Sequence, residues 1–119
     1  MNCNTLLSEQ AAEFRKAYQI ENSSGARKKQ KSLIDEEWSE FHEAYHLKDA
    51  SEQLKELADL VYVCYQFAAN MDWDLDEAMH RVHRSNMSKL GEDGKPIYRE
   101  DGKVLKGPNY QPPTLTDLV

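Results

Sequence analysis

Two pairs of acidic residues stand at a spacing suited to metal binding. Glu37 and Glu40 lie three residues apart, and Glu56 and Asp59 repeat that spacing further along the chain. Residues three apart on a helix are neighbours on one surface, so each pair would present its carboxylates together. Hard oxygen ligands in this number favour Mg²⁺ or Mn²⁺ over Zn²⁺. The spacing therefore predicts a divalent-cation site.

The positions of these acids on helical wheels indicate that they point inward. On the helix predicted from about Ala26 to Leu47, Glu37 falls in the middle of the apolar face, and Glu40 lies about 60° away on its flank. The surface of the second pair continues into Val63 and Phe67. Burying an unpaired charge costs several kcal/mol, and a bound cation removes that cost. The competing interpretation, a solvated acidic face with surface ion pairs, fits these wheels less well.

Apolar residues at helical spacing and capping residues predict the elements that carry these acids. Asp49 and Glu52 resemble a capping box at the start of a helix. The four predicted helices run over about 6–20, 26–47, 49–71 and 74–91, the last ended by Gly91 as a C′ glycine. Residues 95–106, with an Asp-Gly turn, predict a short β-hairpin, and the proline-rich stretch after it predicts an extended tail. The predicted fold class is all-α, a four-helix bundle with this hairpin and tail.

Length and composition narrow the classes of function. The 119 residues predict a single domain, 1–119, with a helical core at about 6–91 and the hairpin and tail at 92–119. With 21 acidic against 15 basic residues and a net charge of −6, a nucleic acid polymer is not an expected partner. No apolar run reaches the roughly 18 residues of a membrane span. Cys3 and Cys64 form no zinc or redox spacing and no signal peptide is visible, which predicts a cytoplasmic protein.

The third predicted helix indicates self-association. From Leu60 to Ala69 it is apolar on nearly every side. A helix of this kind has to be buried all round, and a chain of this size cannot wrap it fully. We therefore expect a homo-oligomer with this helix at or near the subunit contact.

The fourth predicted helix and the tail offer groups that suit a phosphate or a nucleobase. The apolar stripe of that helix continues through Asn86 to Lys89. An amide and an ammonium group on this stripe suit phosphate oxygens, although a lone lysine is more often a surface residue. Tyr110, in the tail, is the aromatic residue that we expect to stack on a base rather than to pack in the core. The basic residues 27–31 are typical of a solvated surface.

A second motif, residues 42–46, formally matches the H-E-x-x-H signature of zinc peptidases. His42 and His46 lie on the outward face of the predicted helix, and no third ligand motif follows. The chain is also very short for a peptidase with a substrate cleft. A non-catalytic helical interaction module is a further alternative, and the complete set of carboxylates argues against it.

The two acidic motifs together resemble those of a known superfamily. Residues 36–40 (EEWSE) followed by residues 56–59 (ELAD) resemble the EExxE…ExxD signature of the MazG-like all-α nucleoside triphosphate pyrophosphohydrolases. That superfamily also includes dimeric dUTPases and phosphoribosyl-ATP pyrophosphohydrolases. The helical part of the resemblance covers about 8–90, including residues 81–89, which resemble the fourth-helix motif. Residues 93–113 resemble the tail of stand-alone MazG-like proteins of phages and bacteria.

The resemblance implies a role for each acidic residue. Glu37, Glu40, Glu56 and Asp59 would be ligands of two or more Mg²⁺ ions, with Mn²⁺ as a substitute. Glu36 would stand at the edge of the site and orient water or an additional metal ion. In the fourth helix, Asn86 and Lys89 would contact phosphate or sugar.

The implied reaction converts a (d)NTP and water into a (d)NMP and pyrophosphate. A metal-activated water would attack the α-phosphorus, and Glu37 or Glu40 would orient it or take its proton. Many relatives carry a histidine in the first helix, where this chain has residues 14–18 (FRKAY), so the base is not fixed by the motifs. A purine nucleotide, dGTP or GTP, is our first expectation, with phosphoribosyl-ATP and dUTP as alternatives. Relatives favour a tetramer over a dimer, and a phage-encoded member would act in the host cytoplasm.

Overall fold

The computed structural model describes residues 5–47 and 49–119 and confirms the all-α class. Over these residues the chain forms four α-helices and one short 3-10 helix, with no regular strand. The helices are α1 (Leu7–Ala17), α2 (Arg27–His46), α3 (Ala50–Asn70) and α4 (Leu75–Met87). In the described part of the chain, no helix combines the length and the apolar character needed to cross a membrane. The chain divides into two compact units, one reaching to Leu75 and one from Asp76 to Val119, while Cys3 lies outside the described residues.

The first unit is built on α3, which packs against both α1 and α2. A very short connection joins α2 to α3, which makes the two helices antiparallel neighbours. Asp49 is the N-cap that the sequence predicts: its side chain accepts hydrogen bonds from the backbone N–H of Ser51 (3.1 Å) and of Glu52 (3.3 Å). Such a cap satisfies orphan donors of the first turn and fixes where α3 begins.

A cluster of polar residues ties the loop between α1 and α2 to α1 and α3. We call it the Arg15 cluster: Arg15, Gln66 and Asn70 are buried, and Asn22 and Ser23 belong to the exposed loop. The Arg15 guanidinium donates to Asn22 Oδ1 (3.0 Å), to Gln66 Oε1 (3.3 Å) and to Asn70 Oδ1 (3.2 Å). The Asn70 amide also accepts from the Ser23 N–H (3.0 Å) and donates to the Ser23 carbonyl (2.9 Å). These bonds hold the segment that leads into α2 against the end of α3.

The apolar core of the first unit consists mainly of small residues. Ala11, Ala44 and Ala68 are buried, and Tyr65 is 9% exposed. Among the described residues, no large side chain is fully buried. Alanine at helix contacts lets the backbones approach closely, but it buries little apolar surface. Several larger apolar side chains of α1 and α3 therefore remain exposed in the single chain.

In the second unit, hydrogen bonds and an ion pair hold the segment after α4 against that helix. The Arg81 guanidinium forms two bonds with the Asp117 carboxylate, at 2.7 Å and 3.0 Å, and also donates to the Thr114 carbonyl at 2.9 Å. The N–H of Gly107 donates to the Lys89 carbonyl at 2.8 Å. A side chain at position 107 would collide with this carbonyl, so the close approach requires glycine.

Two local predictions in the second unit differ from the structure. The fourth helix ends at Met87 rather than at Gly91, and Gly91 does not have the positive φ of a C′ glycine. The predicted hairpin is reduced to an Asp-Gly turn, with Gly102 at φ +88°, and one isolated antiparallel bridge between Tyr98 and Val104. Such a short pairing has no wider sheet to join, and isolated hairpins are only marginally stable.

Candidate metal centre

The packing of α2 against α3 brings acidic side chains from both helices together. One carboxylate oxygen from each of Glu37, Glu56 and Asp59 can be chosen so that all three lie within 4.8 Å of one another. Glu56 is 7% exposed, while Glu37 and Asp59 are half-buried. The wheels predicted that these residues face inward, and the antiparallel pairing of the helices explains why the two faces meet.

The two remaining acids of the first motif occupy different positions. Glu40 is half-buried and close enough to Glu37 to raise its pKa, but it is not a member of the three-residue group. Glu36 is exposed. The roles of these acids as ligands or in catalysis stay predictions.

Two buried carboxylate oxygens of the cluster have no hydrogen-bond partner among the described residues. They are Glu37 Oε2 and Glu56 Oε2. Burial raises the pKa of Glu37 to about 7, together with the hydrogen bond to Glu40 and the negative charges of Glu40, Asp59 and Glu56. Desolvation and nearby like charges both disfavour the ionised form. The surroundings of Glu37 therefore favour either a proton on its carboxyl or a bound cation beside it.

A lysine contacts the cluster from its rim, which the sequence analysis missed. The Lys55 ammonium lies 3.0 Å from Asp59 Oδ2 and 3.2 Å from Glu56 Oε1. These two carboxylates hold the pKa of Lys55 well above its usual range. The Lys55 side chain is 61% exposed, so the ammonium stays in contact with solvent. The i,i+4 spacing of Lys55 and Asp59 was a signal in the sequence that could have identified this pair.

The donor set of the cluster fits a hard divalent cation. Its potential ligands are carboxylate oxygens from three residues, and two buried oxygens have no other partner. Oxygen-only sites suit Mg²⁺ or Mn²⁺ better than a metal that prefers nitrogen or sulfur. Over residues 5–47 and 49–119, no second group of three potential ligands forms.

The other predicted substrate-binding residues lie in the second unit. Asn86 is exposed in the last turn of α4, while Lys89 is half-buried beyond the end of that helix, contrary to the prediction that the helix continues to Gly91. Tyr110 is half-buried, and the Lys106 ammonium lies 4.8 Å from its ring centroid. Their proposed contacts with a substrate stay predictions.

The H-E-x-x-H motif has the outward position that the sequence indicated. His42 and His46 are exposed on α2, with ring centroids 5.0 Å apart. In the described residues, no third potential ligand joins this pair in a three-ligand group. The motif therefore lacks the triad that a catalytic zinc site requires.

Comparison with known proteins gives the chain a family. The family model of phosphoribosyl-ATP pyrophosphohydrolase matches residues 2–86, a stretch that includes both acidic motifs. The chain belongs to this family. The phosphoribosyl-ATP pyrophosphohydrolase family is part of the MazG-like all-α nucleoside triphosphate pyrophosphohydrolase superfamily. No curated protein matches the chain. Family membership makes this protein a pyrophosphohydrolase, a hydrolase that acts on the phosphate anhydrides of nucleotides.

Proposed function

We propose that the protein is a Mg²⁺-dependent nucleoside triphosphate pyrophosphohydrolase of the stand-alone MazG-like type. The observation that carries the proposal is the convergence of Glu37, Glu56 and Asp59, with two buried oxygens lacking partners, in a chain of a pyrophosphohydrolase family. Two or more Mg²⁺ ions, or Mn²⁺ in their place, would be held by these acids and by Glu40. Such a nucleotide-pool enzyme would work in the cytoplasm.

The chemistry of the proposed reaction divides between the bound ions and the residues of the chain. When bound, the ions neutralise phosphate charge and lower the pKa of a bound water. Glu37 or Glu40, deprotonated when the ions are bound, would orient the attacking water or accept its proton. A new bond forms between the water oxygen and the α-phosphorus, while the bond from the α-phosphorus to the bridging oxygen breaks. Pyrophosphate leaves, and the other product is a nucleoside monophosphate.

Substrate recognition is assigned to groups at the edge of the metal centre and in the second unit. We assign phosphate or sugar contacts to Asn86 and Lys89, base stacking to Tyr110, and orientation of water or an extra ion to Glu36. A purine nucleotide, dGTP or GTP, is the first substrate candidate. Phosphoribosyl-ATP is the second, because the matching family model is that of its pyrophosphohydrolase. Both substrates present the same bond, the anhydride between the α- and β-phosphates.

A substrate panel tests this proposal. The purified protein is incubated with each NTP and dNTP, dUTP included, and with phosphoribosyl-ATP, in Mg²⁺, in Mn²⁺ and in EDTA. Phosphorus NMR then identifies the products. We expect equal amounts of monophosphate and pyrophosphate, formed only when a divalent ion is present. Release of orthophosphate, or no turnover of any compound, would contradict the proposal.

We also propose that the protein is a homo-oligomer, a tetramer rather than a dimer, joined through a face of α1 and α3. This face surrounds a groove of about 360 Å³, and its nine lining residues include no charged side chain. Leu54 is 67% exposed and Leu57 43% exposed on it. A second copy is the occupant that fits, because two uncharged faces can meet in a symmetric contact without opposing like charges. Burial of exposed leucines supplies the driving force.

A further inference from the structure

The rim lysine of the metal centre has a consequence for how the centre is loaded. We propose that Lys55 sets the order of loading, disfavouring entry of a bare divalent cation and favouring entry of the metal–nucleotide complex. The inference rests on the proposed function, since it assumes that the carboxylate cluster binds the ions.

Lys55 uses the same acids that would bind the ion. Its ammonium donates to Glu56 Oε1 at 3.2 Å and contacts Asp59 Oδ2 at 3.0 Å. Both acids belong to the group whose ligand oxygens converge within 4.8 Å. A bare cation bound by this group would therefore lie close to a positive charge and would compete with it for the same carboxylates. Both effects weaken the binding of a bare cation.

The contacts of Lys55 can be exchanged without disturbing the fold. The Lys55 side chain is 61% exposed, and its ion pair with Asp59, which is 39% exposed, contributes little to stability. Water can reach the ammonium beside Glu56 as well, although that carboxylate is only 10% exposed. A lysine ammonium is also a compact charge on a flexible stem, which lets it change partners. Removal of Lys55 should thus alter ion binding much more than folding.

The effect of Lys55 on the substrate complex has the opposite sign. A nucleoside triphosphate keeps a net negative charge after it binds a divalent ion. When the metal ions take over Glu56 and Asp59, the released ammonium is free to pair with a phosphate oxygen. Lys55 therefore repels the bare ion and attracts the same ion when it arrives with the triphosphate. A purely structural role would not produce two effects of opposite sign.

The test measures two affinities in the full-length protein. Binding of Mn²⁺ alone is followed by electron paramagnetic resonance, and binding of an α,β-methylene triphosphate analogue with Mn²⁺ is followed by calorimetry. For Lys55→Gln we expect Mn²⁺ alone to bind about tenfold more tightly, the effect of removing one unit charge about 5 Å from a divalent ion in a water-like medium. We expect the Mn²⁺–analogue complex to bind more weakly than in the unmodified protein. Lys55→Arg keeps the charge and should retain both original affinities.

Lys31→Gln is a matched control for the loss of a lysine. Lys31 forms an i,i+4 ion pair with Asp35 at 2.8 Å on α2, with a similarly exposed side chain. We expect neither affinity to change in this variant. Equal affinities in Lys55→Gln and Lys31→Gln, or shifts of the two affinities in the same direction, would overturn the inference about Lys55. Failure of the unmodified protein to bind Mn²⁺ would overturn the proposed function as well.

Discussion

At the scale of single residues, Glu37 is the carboxyl whose surroundings raise its pKa to about 7. Its buried Oε2 has no partner within the described part of the chain, and three neighbouring acids disfavour its ionised form. For Glu37→Gln we expect turnover to fall by at least about 100-fold, since even residues that only support metal ligands matter by 10- to 100-fold. The fold should persist, because the amide removes a buried charge. Initial rates of pyrophosphate release and circular dichroism measure the two properties.

Glu43→Gln is the control for this substitution. Glu43 is exposed on α2 and forms the centre of the H-E-x-x-H motif. If the carboxylate cluster is the active centre, this variant keeps full pyrophosphohydrolase activity. Loss of activity in Glu43→Gln together with full activity in Glu37→Gln would refute the assignment.

The raised pKa of Glu37 predicts opposite pH dependences with and without metal. Since the pKa is about 7 in the folded state and 4.5 in the reference state, the folded protein binds more protons between these values. The stabilisation from Glu37 is therefore fully present below about pH 4.5 and is lost as the pH rises towards 7. Mn²⁺ competes with this proton, so its affinity should rise with pH up to about 7.

Thermal unfolding at several pH values, in EDTA and in Mn²⁺, measures these dependences. The lowered pKa values of Asp49, Asp101 and Asp117 act in the opposite direction at acidic pH, so the informative quantity is the difference between the protein and Glu37→Gln. In EDTA that difference should favour the unmodified protein progressively less as the pH rises from 4.5 to 7. A difference that does not vary with pH would show that Glu37 titrates as it does in water.

Residue patterns predicted the inward acids but not every partner. Glu37 was placed on the apolar face of α2 because a helix of known period has only one such face. Lys55 was missed because its sequence position predicts a surface residue, whereas its flexible side chain extends to the acidic cluster. The sequence predicted a helical position for Arg15 but not its burial. Arg15 lies four residues after the buried Ala11, on the same side of α1, and is itself 5% exposed. A charged residue at a core position is visible in the sequence, but its acceptors are far away along the chain.

At the scale of the elements, the Arg15 cluster holds the first unit together at the end opposite the short α2–α3 connection. Asn70→Ala would leave the Ser23 N–H and carbonyl without their side-chain partner and would remove one acceptor of Arg15. A hydrogen bond to a charged group such as the buried Arg15 guanidinium contributes about 1.5–3 kcal/mol, so we expect the free energy of unfolding to fall by about this amount. Urea denaturation measures the change. Asn109→Ala, at an exposed position, should change it by less than about 0.5 kcal/mol.

Element boundaries were predictable where local signals set them. Asp49 caps α3 through backbone groups two and three residues away, which a local pattern can indicate. The end of α4 was not predictable in this way. Its following residues bond to the distant Gly107, and such a long-range partner leaves no mark near Gly91. The predicted hairpin was longer than the observed pairing for a related reason. An Asp-Gly turn specifies that the chain reverses direction, but it does not specify how many residues pair on either side.

At the scale of the whole molecule, the exposed face of α1 and α3 determines the expected assembly. Leu57→Glu places a charge on the uncharged groove. Burying an unpaired carboxylate in the subunit contact costs free energy and should destabilise the assembly. We expect the unmodified protein to be a tetramer and this variant to shift towards monomer. Light scattering coupled to size-exclusion chromatography measures both masses.

Leu47→Glu is the control for the assembly prediction. Leu47 is 68% exposed at the end of α2 and does not line the groove. It should leave the mass of the assembly unchanged. A monomeric unmodified protein, or an equal shift in both variants, would rule out the proposed contact. The apolar sequence of α3 predicted self-association, but one chain alone does not specify the number of subunits.

The ion pair between Asp117 and Arg81 predicts how the protein behaves after cleavage by a protease. Arg99 and Lys103 flank the exposed turn at Gly102, where trypsin has access to the backbone. Cleavage there would cut the polypeptide in two. The C-terminal peptide would still be bound to α4 through the ion pair between Asp117 and Arg81. The clipped protein should thus migrate as one species under native conditions and as two under denaturing ones.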